Sequence, residues 1–444
     1  MKLLDKMTAD QPFISDIPLP SEDDPDLFDA NCDPENPRIL TFDEVESARQ
    51  RIKDGIIYTN CKKSRLSSEY GMDIYFKEEF LQVTGSFKER GARNVLLQLT
   101  PDEAKRGVIA CSAGNHALGL AYHGKLLNIP VTVIMPENAS VMKRERCASF
   151  GGRVLLKGKN MFESKRYAMK MAKLNNLPLI NGYDHPHILA GQGSVGIEIL
   201  EQVPDVDAII VPVGGGGLIA GISVAAKAIR PNCMIIAVES ENCPGFNQAM
   251  LAGKPVYTEN FPSCADGLAI SMVGVNAFET CRNLVDKVIT LNESYIHRAV
   301  VRLLEVEKCV VECSGATSLA VIMGDMLPQL VGKKVVCLLS GGNIDTSMLG
   351  RVIERGLALE GRLCRFIVVI PDQPGCIADL CVLLKQIGVS IKDISQDRTW
   401  LKSSVFEVQV KCICETRDSV QASDLEEALK AKYKHVVWGD DSIW

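Results

Sequence analysis

The sequence predicts an α/β protein: a two-lobed region built on parallel sheets, followed by a small ferredoxin-like βαββαβ domain. From Val108 onward, short β-rich runs alternate with helical stretches, and this implies parallel pairing because each crossover must cover a sheet face. The alternation runs through two successive series, which gives two lobes with a cleft between them. After Gly361 the order becomes strand, helix, strand, strand, helix, strand, a complete domain in about 80 residues.

Residues 1–40 are acidic and Pro-rich without sustained periodicity and are expected to form a mobile tail on which Phe13 and Phe28 offer docking side chains. Thr41 with Glu44 three residues on forms a capping box that opens a helix to about Asp54, where the first folded domain starts. The small lobe, at about 107–183, takes strands at 108–111, 131–135, 153–156 and 178–181, with helices from 115, 140 and 160. The second series takes strands at 207–213, 234–239, 287–290 and 334–339, with helices from 217, over 293–308 and over 315–325. The two-lobed region is expected to span 41–355. The C-terminal domain, 362–444, takes strands at 364–370, 389–396, 404–412 and 434–438 and helices at 375–387 and 421–432.

Composition narrows the function. Among 444 residues, 49 Lys+Arg against 55 Asp+Glu give a net charge of -6, so no basic field attracts nucleic acid or an anionic membrane surface. No apolar run approaches the ~20 residues needed to span a bilayer, and the opening Met1–Lys6 lacks the apolar core of a signal peptide. A cytoplasmic protein with a small-molecule partner is expected. The 16 cysteines sit singly in apolar stretches of a chain too large to need bridges, which points to buried reduced thiols. Cys309/Cys313, Cys412/Cys414 and His185/His187 are too isolated for a four-ligand zinc site, so no metal is expected.

Three small-residue segments each follow a strand and open a helix, where backbone N–H groups and the helix dipole bind anions. They are Ser112-Ala-Gly-Asn-His116, the glycines Gly214, Gly215, Gly216 and Gly217, and Ser340-Gly-Gly-Asn-Ile-Asp345. Any one of them also reads as a tight turn; three at equivalent strand ends mark the rim where open α/β sheets bind ligands. Gly215 to Ala220 satisfies G-x-G-x-x-A with Glu239 about twenty residues on, so a nicotinamide-dinucleotide dehydrogenase is the rival reading. Lys88, within Thr84-Gly-Ser-Phe-Lys-Glu-Arg-Gly-Ala92, is either a surface lysine of a charged loop or a desolvated amine nucleophile able to bond an aldehyde cofactor.

In this order, Ser86-Phe-Lys-Glu-Arg-Gly-Ala92, Ser112-Ala-Gly-Asn-His116, Gly214 to Gly217 and Ser340-Gly-Gly-Asn-Ile-Asp345 resemble the pyridoxal-phosphate enzymes of the threonine dehydratase and serine racemase family. The likeness covers about residues 41–355 and includes Ala190-Gly-Gln-Gly193 and Ala265-Asp-Gly267. It implies fold type II, the tryptophan synthase β-like fold, with pyridoxal 5'-phosphate as cofactor. Lys88 matches the Schiff-base lysine that also removes the α-proton, and Phe87 would lie beside the cofactor ring. Asn115 matches the residue bonded to the phenolic oxygen; Gly214, Gly215, Gly216, Gly217 and Leu218 match the phosphate cup. Ser112, Gly114 and His116 would hold the substrate carboxylate. Ser340 matches the residue facing the pyridine nitrogen, where a hydroxyl keeps the ring a modest electron sink and favours prompt β-elimination.

The resemblance therefore implies an L-threonine and L-serine ammonia-lyase giving 2-oxobutanoate or pyruvate, with the cofactor phosphate protonating the leaving hydroxyl. Serine racemases carry a second serine where this chain has Ala113, which has no proton to give the opposite face. The racemase and a non-catalytic cofactor-binding sensor stand as alternatives. Some relatives bind a cation through an acid matching Glu239 and a second carboxylate six residues later, where this chain has Gly245; Thr-Asn at 59–60 replaces the Thr-Pro of many relatives. The C-terminal domain resembles an ACT domain, with Asp372 and Gly375 in its first strand-to-helix turn. That implies an amino-acid or nucleotide effector and a homodimer or homotetramer, with a dimerization domain that binds no ligand as the alternative.

Overall fold

The computed structural model describes residues 14, 16–24, 27–401 and 404–439. Phe13 and the opening Met1–Lys6 lie outside the described residues. The chain forms two compact units. One runs through Ile296 and adds Leu303–Asp345; the other comprises His297–Arg302 and Thr346 onward.

In the first unit, α1 (Phe42–Ile52) opens with the expected capping box, Thr41 Oγ1 accepting the Glu44 N–H and Glu44 accepting the N–H of Thr41. Then come β1 (Cys61–Lys63), the single turn α2 (Ser67–Tyr70), β2 (Asp73–Lys77), α3 (Lys88–Leu96) and α4 (Pro101–Arg106). The small lobe alternates β3 (Val108–Cys111), α5 (Asn115–Leu127), β4 (Val131–Met135), α6 (Val141–Ser149), β5 (Arg153–Leu156) and α7 (Met161–Leu174). Its sheet is parallel in the order β3-β4-β5. The run at 178–181 is not a strand; Leu179 alone bridges to Ile109.

The second series comprises α8 (Pro186–Gln202), β6 (Ala208–Pro212), α9 (Gly217–Ile229), β7 (Met234–Ser240), α10 (Gly245–Ala252), α11 (Val275–Cys281), β8 (Lys287–Leu291), α12 (Glu293–Arg302), α13 (Cys313–Met323) and β9 (Lys334–Leu338). The expected helix over 293–308 ends at Arg302, and Leu303–Glu307 forms a π-type turn. The large sheet is ordered β1-β2-β9-β6-β7-β8, parallel except where β1 pairs with β2. Buried strands such as β6, with all five residues in the core, explain the continuous apolar runs of the sequence.

Helix packing explains the Ala190–Gly193 motif. A Cβ on Gly191 would lie 2.7 Å from the carbonyl oxygen of Arg90 and from Gly91 Cα, and one on Gly193 would lie 2.9 Å from Gly221 O. These glycines let α8 approach α3 and α9 at backbone distance, and they are structural. Beneath them, fully buried Arg90 forms ion pairs with Glu79 and Glu198, and Glu198 also takes Lys77 at 2.6 Å.

The second unit contains α14 (Thr346–Leu359), β10 (Leu363–Pro371), α15 (Cys376–Ile387), β11 (Ser390–Asp397), β12 (Glu407–Glu415), α16 (Ser419–Lys432) and β13 (Val436–Trp438). Its sheet is antiparallel in the order β11-β12-β10-β13, the βαββαβ arrangement expected. Phe366, Val368, Leu380, Leu384, Val410, Leu425 and Leu429 form its core. The division between units falls at Asp345/Thr346 rather than near residue 355, because α14 packs on β10.

The N-terminal segment, expected as a mobile tail, makes contacts with the rest of the first unit at several described residues. Ile14 bonds Asn175, Asp16 pairs with Lys157, Glu22 with Arg166 and Asp24 with Lys170, all on the small lobe. Further on, Asn31 O accepts from Asn276 Nδ2, the Arg38 N–H donates to Asn276 Oδ1, and the Leu40 N–H donates to Thr280 Oγ1 on α11. Its acidic residues find basic partners at Lys157 and at Arg166 and Lys170 on α7, and uncharged hydrogen bonds add to these ion pairs. Phe28, by contrast, is 61% exposed.

Candidate active site

Lys88 begins α3 rather than lying in a charged surface loop. Its Nζ donates to the Gly182 carbonyl at 2.5 Å and lies 5.1 Å from the Phe87 ring centroid. Burial lowers the amine to a pKa of about 8, opposed by the charge of Glu312. The loop before it is zipped to the segment after β9. The Phe87 N–H donates to Ser340 O, the Gly342 N–H to Gly85 O, and Ser86 bridges Gly341. Lys88 and Ser340, 252 positions apart, are thereby fixed side by side.

Asn115 heads α5. Its Nδ2 donates to Glu312 Oε1 at 2.8 Å, and its Oδ1 accepts from Asn343 Nδ2 at 2.7 Å. Asn343 Nδ2 also reaches Thr84 O on the Lys88 loop, and the Asn343 N–H donates to Glu312 Oε2. Burial, then the charge of Asp266, pushes the Glu312 carboxyl up to about 7. The sequence reading missed Glu312, although a lone acid heading the apolar helix Cys313–Met323 was a visible signal; Asn343 lay in a motif but had no role.

The glycines between β6 and α9 form a cradle. Gly216 has φ +93 and caps α9 without a side-chain bond, so the first-turn N–H groups of α9 are available to a ligand. Tyr183 lies against this loop: a Cβ on Gly215 would be 2.3 Å from its ring, and one on Gly217 would be 2.4 Å from its carbonyl oxygen. Since the preceding residue, Gly182, accepts from Lys88, one short segment borders both the amine and the cradle. Leu218, in the first turn of α9, is buried in the core and anchors that end. An amine that is partly neutral at physiological pH beside an N–H cradle suits a phosphorylated aldehyde.

Ser112 Oγ accepts the Gly114 N–H at 3.3 Å, and Gly114 is exposed at the start of α5. The His116 ring faces inward, with Nε2 3.2 Å from Ile180 O; burial, helped by Lys88, lowers it to about 3 and keeps it neutral. Its ring therefore offers no positive charge to an anion. In the Ala265–Gly267 motif, Asp266 pairs with Lys143 at 2.8 Å and the Gly267 N–H donates to Ser314.

Glu239 accepts the N–H groups of Phe246 and Asn247 at 3.0 and 2.8 Å. Both carboxylate oxygens are engaged in heading α10, so this acid is not held ready for a ribose. In the second unit, Asp372 forms a two-pronged ion pair with Arg398 at 2.6 and 2.9 Å, and Gly375 (φ +99) begins α15 without a side-chain cap. All sixteen cysteines are free thiols, buried or half-buried.

Two α/β lobes, a buried lysine of lowered basicity and a glycine cradle suit a cofactor-dependent enzyme that would work through a protein amine and a bound phosphate. The chain belongs to the pyridoxal-phosphate dependent enzyme family, whose pattern matches residues 52–341. L-threonine ammonia-lyase of Thermotoga maritima is 35% identical over 395 residues, covering 89% of this chain and 98% of the relative. That span is too long for the first 345 residues and so reaches into the second unit. L-threonine ammonia-lyase of Geobacter sulfurreducens is 38% identical over 380 residues, covering 85% of this chain and 94% of the relative. Among solved structures, the processed threonine deaminase isoform 2 of Solanum lycopersicum is 33% identical with TM-score 0.68, covering 72% of this chain and 95% of that one. Maize serine racemase is 32% identical with TM-score 0.67, covering 72% and 99%. The protein is a pyridoxal-phosphate-dependent enzyme of fold type II, and the dehydrogenase reading is withdrawn, since the family is another and Glu239 is engaged in heading a helix. Among the described residues no helix is long and apolar enough to cross a membrane.

Proposed function

We propose that the protein is an L-threonine and L-serine ammonia-lyase: it eliminates water to leave an enamine, which takes up water again to give 2-oxobutanoate or pyruvate and ammonia. The observation that carries the reading is the Lys88 amine held at a pKa of about 8 on the Gly182 carbonyl, next in sequence to the Tyr183 that backs the glycine cradle. The ammonia-lyase relatives supply the reaction class.

When bound, pyridoxal 5'-phosphate supplies an electron sink for charge developing at the substrate α-carbon. Gly214, Gly215, Gly216, Gly217 and Leu218 would bind the phosphate through N–H groups at and before the start of α9. Lys88 would hold the cofactor and would take the substrate's α-proton at Nζ; lowered basicity lets part of the amine be neutral at physiological pH. Asn115 would donate to the ring's phenolic oxygen, Phe87 would flank the ring, and the Ser340 hydroxyl would serve the ring nitrogen. Ser112 with the N–H groups of Gly114 and His116 receives the carboxylate at the head of α5. Structural likeness to serine racemases favours a second reading, but Ala113 offers no proton at the opposite face, so racemization is at most a slow side reaction.

The second unit acts as an ACT-type regulatory domain, with the turn from Asp372 to Gly375 receiving an amino-acid or nucleotide effector. The protein assembles as a homodimer or homotetramer and works in the cytoplasm. The decisive test is an absorbance spectrum of purified protein, with and without L-threonine, and an assay for 2-oxobutanoate on wild type and Lys88→Ala. The expected result is a visible cofactor band and oxo acid in wild type, both absent in the variant. A band without oxo acid from threonine or serine would make the protein a sensor, and no band at all would overturn the assignment.

A further inference from the structure

We infer that Asn343 and Glu312 are positioning residues that lock the Asn115 amide in one orientation, so that it presents an N–H and never its carbonyl oxygen to the cofactor. The inference rests on the role proposed above for Asn115. It goes beyond that role by assigning the cause of the amide's orientation to two residues outside it.

Thr84 O fixes the first step. A backbone carbonyl only accepts, so the Asn343 side-chain atom 2.7 Å from it is the amide nitrogen. That same Nδ2 lies 2.7 Å from the Asn115 side chain, so the Asn115 atom it meets is the oxygen. Asn115 Nδ2 must then face Glu312, whose Oε1 accepts it at 2.8 Å. The ring closes where Glu312 Oε2 accepts the backbone N–H of Asn343 at 3.1 Å. A flipped Asn115 would set nitrogen against the Asn343 donor, which Thr84 O holds in place, and oxygen against Glu312 whenever that carboxyl is ionised. In the observed orientation Oδ1 is occupied, and one Nδ2 hydrogen takes no partner among the described residues. A phenolate oxygen is the acceptor this hydrogen suits.

The ring joins four segments: the Lys88 loop, the head of α5, the head of α13 and the turn after β9. Asn343 could therefore act through Asn115 or merely by bracing Thr84. A double-mutant cycle separates the two. Apoprotein is titrated with pyridoxal 5'-phosphate, and dissociation constants are measured for wild type, Asn343→Ala, Asn115→Ala and the double variant. Asn343→Ala is expected to weaken binding about 10-fold in wild type and less than about twofold in Asn115→Ala. Equal loss in both backgrounds, or none in wild type, would overturn the inference.

Should Asn343→Ala fail to fold, Glu312→Gln runs the same cycle, since a single amide oxygen replaces two acceptors; a loss that persists in Asn115→Ala overturns the inference there too. Wild type that binds cofactor but forms no oxo acid would sink the ammonia-lyase reading while leaving the cycle readable. Wild type that binds and turns over, with Asn343→Ala indistinguishable from it, would sink this inference alone.

Discussion

Glu239 shows what a buried carboxyl does to the pH profile of stability. Burial raises it to about 7, although the N–H groups of Asn247 and Phe246 pull the other way. Between the unfolded value near 4.5 and about 7, the folded chain holds a proton that the unfolded chain has released, so this group's contribution falls as pH rises through that window. His116 and His185, lowered by burial to about 3, have the opposite sign, since they destabilise the fold as pH drops below their unfolded value. The Glu239 term is therefore isolated by difference. Glu239→Gln is expected to gain on wild type between pH 5 and pH 8 by at most about 3 kcal/mol. Urea unfolding at the two pH values checks it, and a pH-independent difference would refute it.

Helices α3, α8 and α9 meet through glycine, and a methyl group at Gly191 has nowhere to go because the atoms facing it are backbone. Gly191→Ala is expected to destabilise the protein by about 1–3 kcal/mol, read as a lowered melting temperature. The same glycines hid α8, since Ala-Gly-Gln-Gly-Ser-Val-Gly carries too much glycine to read as helix. Strands β3 to β9 of the two series were legible because buried parallel strands are written as apolar runs, whereas β1 and β2 were not: Cys-Lys-Lys and Asp-Ile-Tyr-Phe-Lys end in charge. Of the site, the motif residues could be read locally. Glu312 and Tyr183 owe their places to contacts between distant segments, which no local pattern encodes.

Within the first unit, the described residues between 14 and 40 reach the small lobe through ion pairs and α11 through bonds between backbone and side chain. Exposed pairs such as Lys157 with Asp16 weaken as salt screens them, whereas the bonds to Asn276 and Thr280 do not depend on net charge. Removing residues 1–40 is expected to speed hydrogen exchange in α7 and in the start of α11. Reversing the charges of Lys157, Arg166 and Lys170 together is expected to affect α7 alone. Exchange mass spectrometry distinguishes the two, and unchanged α7 protection in the truncated protein would show that the segment only rests there.

The sheet order also sets a schedule for synthesis. Strand β9 lies between β2 and β6, yet it is the last strand of that sheet to be made. At about 5–20 residues per second, the ribosome delivers the Lys88 loop well before the segment that must zip onto it, a delay of roughly ten seconds or more. Until then β2 has an open edge, and the amine lacks the wall that orders it. The nascent chain thus cannot acquire its cofactor in stages: assembly of the site waits for the arrival of a single central strand.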